Sequence, residues 1–83
     1  MDIWSVYIVR CSDDSLYTGI SNNVDKRINN HNTGKGAKYT KPRLPVIKVY
    51  DKEIGTHSEA AKEEYRIKQL TRVQKIELIN EKK

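Results

Sequence analysis

Apolar side chains along the chain come in short runs with two rhythms. Trp4 to Arg10 alternates only loosely but is rich in Val, Ile and Tyr, and Leu16 to Ile20 has the same character beyond Ser12-Asp13-Asp14-Ser15. Together these two runs predict a β-hairpin. Val24 and Ile28 then lie four positions apart behind Asn22-Asn23, the spacing and cap of a first helix from about Val24 to about Asn32. Thr33-Gly34-Lys35-Gly36 breaks that helix and, with Pro42 and Pro45, predicts an irregular loop to about Leu44. Pro45 to Tyr50 has the composition of a third strand, with Pro tolerated at its first position. Thr56 or Ser58 can cap a second helix running to about Leu70, and Thr71 with Gln74 forms the capping box of a third, ending near Asn80. The order β-β-α-β-α-α predicts an α+β fold, a three-stranded antiparallel sheet flanked by helices. There is no internal repeat, and Glu81-Lys82-Lys83 is expected to fray.

Length changes this picture little: 83 residues allow one domain spanning 1–83, burying about 60% of the surface the unfolded chain exposes. With 36% hydrophobic and 33% charged residues the chain fits a compact domain better than a disordered tail, and with no Phe its aromatic bulk must come from five Tyr and one Trp. No apolar run approaches the roughly 18 residues of a membrane span, and Met1-Asp2-Ile3-Trp4 lacks the features of a signal peptide, so a cytoplasmic protein is expected. The single Cys11 can form no internal disulfide and reads as a packing residue. With only His31 and His57 beside it, a structural zinc site would lack ligands.

Charge changes the picture more. Lys26 to Tyr50 holds seven basic residues and no acidic one, leaving nine basic and eleven acidic for the remainder, so one segment supplies all of the +5 excess. A polyanion such as nucleic acid is the natural partner, since each neutralised phosphate releases condensed counterions; the plainer alternative is a solvated basic surface.

Several side chains could carry chemistry. Tyr7 and Tyr17 sit on the two hairpin strands, close enough in register for their side chains to approach, although a strand tyrosine is ordinarily a packing residue. Arg27 and His31 lie four apart on the first helix, one turn apart on one face, a pairing also common in exposed helices. On the second helix Glu64 shares a stripe with Ala60 and Ile67, and Glu63 is nearly as well placed relative to Ile67 and Leu70. Periodicity does not choose between them. Gly34-Lys35-Gly36-Ala37-Lys38 fails the spacing of a phosphate-binding P-loop and precedes a strand rather than opening a helix. With Tyr39, Lys41 and Arg43 it reads better as an arm that tracks a nucleic-acid backbone, with Tyr39 available to stack on a base. His57 reads as a capping or surface residue.

In this combination of Ser5-Val6-Tyr7, Tyr17-Thr18-Gly19, Arg27 with His31, and a glutamate on a later helix, the chain resembles the GIY-YIG nuclease superfamily over nearly its whole length. The run His31-Asn32-Thr33-Gly34-Lys35-Gly36-Ala37-Lys38-Tyr39-Thr40 is similar to its compact bacterial branch, whose role is largely undefined. The resemblance implies a metal-dependent endonuclease acting on DNA phosphodiesters, in a repair or recombination setting. Glu64, just before Ile67-Lys68-Gln69-Leu70, would be the ligand of one Mg²⁺ or Mn²⁺ ion that binds mainly together with nucleic acid, with Glu63 as the fallback. A tyrosine, either Tyr7 or Tyr17, would help deprotonate the attacking water, for which its ordinary pKa near 10 needs help from Arg27 or a metal-bound hydroxide. Arg27 would hold a phosphate oxygen, and His31 would orient a tyrosine or accept a proton. Gly19 would let the phosphate approach the sheet. Lys35, Lys38, Tyr39, Lys41 and Arg43 would bind the nucleic acid.

The chain departs from that pattern at one point. Many members carry an Asn about one helix beyond the glutamate, and Arg72-Val73-Gln74-Lys75 has none, with Asn80 lying further along. The alternative is a non-catalytic DNA- or RNA-binding module that keeps the fold. A protein partner in a repair complex would need a contiguous apolar patch, on which the sequence is silent. No small-molecule cofactor is expected.

Overall fold

The computed structural model describes residues 2–81. Strands β1 (Trp4–Arg10), β2 (Leu16–Ser21) and β3 (Ile47–Gly55) form one antiparallel sheet in the order β2-β1-β3. Helices α1 (Val24–Asn32), α2 (His57–Lys68) and α3 (Arg72–Glu81) complete the expected order, with a short 3₁₀ turn at Lys41–Arg43. Of the predicted frayed end, Glu81 closes α3, and Lys82 and Lys83 lie outside the described residues.

The loose alternation of β1 has a physical cause. As the central strand it is covered on both faces, and Val6, Tyr7, Ile8 and Val9 are all buried. Val6 and Ile8 join Tyr50, Ile67 and Ile79 in a core beneath α2 and α3, whereas Tyr7 and Val9 join Cys11 and Val46 beneath α1, with Val24, Ile28 and Leu44 packed against them. Cys11 is therefore the packing residue its sequence context predicts.

The helix starts are local events. Asn23 Oδ1 accepts from the Lys26 amide, and Thr56 with Glu59 closes a full capping box at α2. Thr71 and Gln74 do the same at α3. The third strand differs from expectation, starting two residues later and running to Gly55. Asp51, Lys52 and Glu53 look like loop in the sequence, but β3 is an edge strand whose backbone pairs with β1 through Tyr7↔Asp51 and Ser5↔Glu53 while its polar side chains meet solvent. No helix among the described residues is long and apolar enough to cross a membrane.

Candidate active site

The site is organised around the Tyr7 hydroxyl. Pairing of Tyr7 with Gly19 across the hairpin lays the phenol over the glycine, where a Cβ would sit 2.6 Å from Tyr7 Oη. Gly19 was expected to leave room for a phosphate; the space its missing side chain opens is filled by Tyr7 itself, which corrects that role.

His31, one turn after Arg27, is fully buried rather than exposed on α1. Its Nε2 lies 2.8 Å from Tyr7 Oη and its Nδ1 lies 2.9 Å from Thr40 Oγ1, with the Ala37 amide donating to Nδ1 at 3.3 Å. The loop after α1 makes this possible. Gly34 takes a left-handed conformation (φ 81°) that turns the chain back, its amide bonding to the His31 carbonyl. Gly36 then passes so close that a Cβ would overlap His31 Nδ1 and Cα. Asn32 pins the far end of the loop, exchanging two hydrogen bonds with the backbone of Val46.

Tyr17 faces the same histidine edge-on, ring centroids 5.6 Å apart, and stacks on Tyr39 at 5.9 Å. Burial pushes the Tyr7 phenol above its usual pKa, and Tyr17 and Glu64 push the same way, while the Arg27 guanidinium beside it works in the opposite direction. Burial, with Arg27 adding to it, lowers the His31 pKa, so the imidazole is neutral at physiological pH. All four of the other expected catalytic residues thus act on one hydroxyl, by hydrogen bond, ring contact or charge.

The two glutamates separate clearly. Glu63 is held by Arg66 through two 2.7 Å hydrogen bonds and acts on Tyr50, in the core beneath α2 and α3. Glu64 lies on the stripe between the buried Ala60 and Ile67 and its charge reaches Tyr7; among the described residues its ion-pair partner is Lys68, 3.3 Å away. Glu64 is the carboxylate that could hold a cation. Among the described residues no three His, Cys, Asp or Glu side chains cluster as a metal cage. A single carboxylate nevertheless suits a hard divalent ion that keeps its waters and takes phosphate oxygens. Asn80 is not part of this site: it lines a cavity of about 490 Å³ with Arg10, Leu16, Lys48, Arg72 and Ile79, on the side of α3.

The basic residues of the loop divide into two groups. Lys35, Lys38 and Lys41 are exposed, and no ion pair among the described residues engages them. Arg43, in contrast, bonds Asp13 Oδ2 at 3.1 Å and the Tyr39 carbonyl at 2.7 Å, with its guanidinium 4.0 Å from the Tyr39 ring centroid. Tyr39 stacks on Tyr17 and lies against the Arg43 guanidinium, and is still 40% exposed. The loop is first a cover over His31 and only at its lysines a basic surface. Thr40 and Gly36, on which that cover depends, have no periodic or charge signature that would single them out beforehand. His57, at the start of α2, packs edge-on against Trp4 at 4.5 Å.

The signature of the GIY-YIG catalytic domain matches residues 3–77. The chain belongs to the GIY-YIG family. Within that family it is similar to small UPF0213 proteins. One from Staphylococcus aureus is 55% identical over 82 residues, covering 99% of this chain and 100% of the relative. Another, from Staphylococcus haemolyticus, is 54% identical over 77 residues, 93% of this chain and 94% of the relative. The solution NMR structure of a UPF0213 protein from Bacillus halodurans superposes with a TM-score of 0.60 at 43% identity, over 93% of this chain and 82% of that one. That of a protein from E. faecalis gives 0.61 at 34% identity, over 94% and 84%. Membership in the GIY-YIG family brings a nuclease-type fold and nucleic acid as the general class of ligand.

Proposed function

We propose that this protein is a metal-dependent endonuclease that hydrolyses DNA phosphodiester bonds, selecting substrates by structure rather than sequence, in repair or recombination. The observation that supports this reading most is the Tyr7–His31 hydrogen bond, with Tyr17 edge-on to the same histidine and the charges of Arg27 and Glu64 near enough to act on the Tyr7 phenol. Glu64 would hold one Mg²⁺ or Mn²⁺ ion, which when bound supplies Lewis-acid charge to the phosphate and leaving oxygens. Arg27 offers a fork of donors to a non-bridging oxygen as charge develops there. Tyr7, kept protonated by burial, takes a proton from the attacking water while passing its own to the neutral His31. Tyr17 closes one side of the site by its contact with His31. The exposed Lys35, Lys38 and Lys41 grip the backbone without reading bases.

Purified protein incubated with Mn²⁺ and branched, nicked or single-stranded DNA tests this. Cleavage that disappears in Glu64→Gln is expected; no cleavage, or cleavage surviving that substitution, contradicts it. The placement of Asn80 away from the site favours a second reading, a non-catalytic DNA- or RNA-binding module. Salt-sensitive binding that is indifferent to metal and to Glu64, without turnover, would select it.

A further inference from the structure

The contacts around His31 carry more than the presence of a buried histidine. Thr40 is fully buried and its hydroxyl has one proton to give. Its oxygen lies 2.9 Å from the Ala37 carbonyl, which can only accept, and 2.9 Å from His31 Nδ1, which can do either. Donation to the carbonyl leaves the Thr40 oxygen as an acceptor for an Nδ1–H, which makes Nε2 the bare nitrogen facing Tyr7. We propose that Thr40 is a positioning residue that fixes this tautomer of His31, so that Nε2 receives the Tyr7 O–H and can take its proton.

The opposite tautomer would disable the relay. With the proton on Nε2, the Tyr7 oxygen would accept from His31 while lying beside the Arg27 guanidinium, leaving it poorly placed to accept a further proton from water. Nδ1 would then be the bare nitrogen, beside Thr40 and the Ala37 amide, so His31 could gain a proton only on the side away from Tyr7. In the proposed tautomer the transfer balances. Water loses a proton to Tyr7 Oη, the Tyr7 proton moves to Nε2, and the resulting imidazolium keeps a partner on each nitrogen, Tyr7 and Thr40. The Ala37 amide, at 3.3 Å the longest of these contacts, is the one bond this tautomer gives up, against the two 2.9 Å contacts of Thr40 that it keeps. This amide is also the group that would capture a bare Nδ1 once the Thr40 oxygen is removed.

This inference rests on the nuclease reading for its purpose, but its test does not. Two-bond ¹⁵N–¹H correlation spectra of the full chain labelled at histidine, recorded where His31 is neutral and with His57→Gln used for assignment, report the tautomer directly. The expected result is a protonated Nδ1 and a bare Nε2 in the wild type and in Thr40→Ser, and the reverse in Thr40→Val. A wild-type His31 protonated on Nε2 overturns the proposal even if Thr40→Val does not fold, and so does a folded Thr40→Val with the tautomer unchanged. Where cleavage is measurable, Thr40→Val should lower kcat by about 10- to 100-fold, the scale seen when the hydrogen-bond partner that orients a metal-ligating histidine is lost, with KM unchanged and rescue by Thr40→Ser. Absence of any cleavage would remove the nuclease reading while leaving the tautomer assignment standing.

Discussion

The two faces of β1 are made from alternate residues of one strand, yet they are built on different principles. Val6 and Ile8 look into an apolar layer with Ile67 and Ile79, where burial alone stabilises the contact. Tyr7, on the other face, buries a hydroxyl against an imidazole that itself rests on a buried Thr40. Buried polar groups of this kind cost free energy unless each is partnered, and here no buried side-chain polar atom among the described residues lacks a partner. One face therefore packs by burial, and the other ties its side chains into a chain of hydrogen bonds from Tyr7 through His31 to Thr40.

Substitutions should separate the two faces. The largest effect belongs to the polar face: Glu64→Gln should abolish cleavage, and Arg27→Ala should lower kcat by about 10²- to 10³-fold while sparing DNA affinity, with unfolding midpoints near wild type. Equal loss of binding and turnover in Arg27→Ala would contradict its transition-state role. On the apolar face Ile8→Ala should cost about 2–5 kcal/mol in denaturant unfolding and leave kcat per folded molecule unchanged. Gly19→Ala bridges the two, since its methyl would displace the Tyr7 phenol; activity should fall far more than stability, and a normal kcat would show that Tyr7 has no fixed position to lose.

Protonation gives a smaller and graded effect. The folded-state pKa of His31 is lowered below the ordinary 6.5, so the unfolded chain binds the proton more readily. The stability of the neutral, buried His31 is fully present above about 6.5 and is lost as pH falls from there toward the lowered folded value. The Tm of wild type relative to His31→Gln should therefore decline as pH falls below about 6.5; a constant difference would mean that His31 is not held neutral. The smallest effect belongs to the exposed loop. Lys38→Ala should weaken binding to all DNA sequences alike and reduce the slope of log Kobs against log salt by about 1.

What the sequence makes legible follows the range of the forces involved. The caps at Asn23, Thr56 and Thr71 and the break at Gly34 are set within a few residues, and each appears where the pattern places it. The second half of β3 is hidden because an edge strand with a wet face needs no apolar code. Arg27 and His31 have the spacing of any exposed helix pair; only the closing of a distant loop buries the histidine. Charge in that loop pointed to an arm for nucleic acid, yet its backbone and Thr40 serve His31, and Arg43 is held by Asp13. Glu63 and Glu64 are equivalent by helical periodicity and become distinct through the pairing of Glu63 with Arg66.

Under the proposed function one metal-bound phosphate would sit against Tyr7, and paramagnetic broadening by Mn²⁺ reads its position most directly. Adding Mn²⁺ with a short DNA to the ¹⁵N-labelled chain should broaden the amides of Tyr7, Tyr17, Arg27, His31 and Glu64 together, and Glu64→Gln should abolish the effect. Broadening centred on Glu59, Glu63 or Glu77, or broadening at Tyr7 that survives the loss of Glu64, would contradict it.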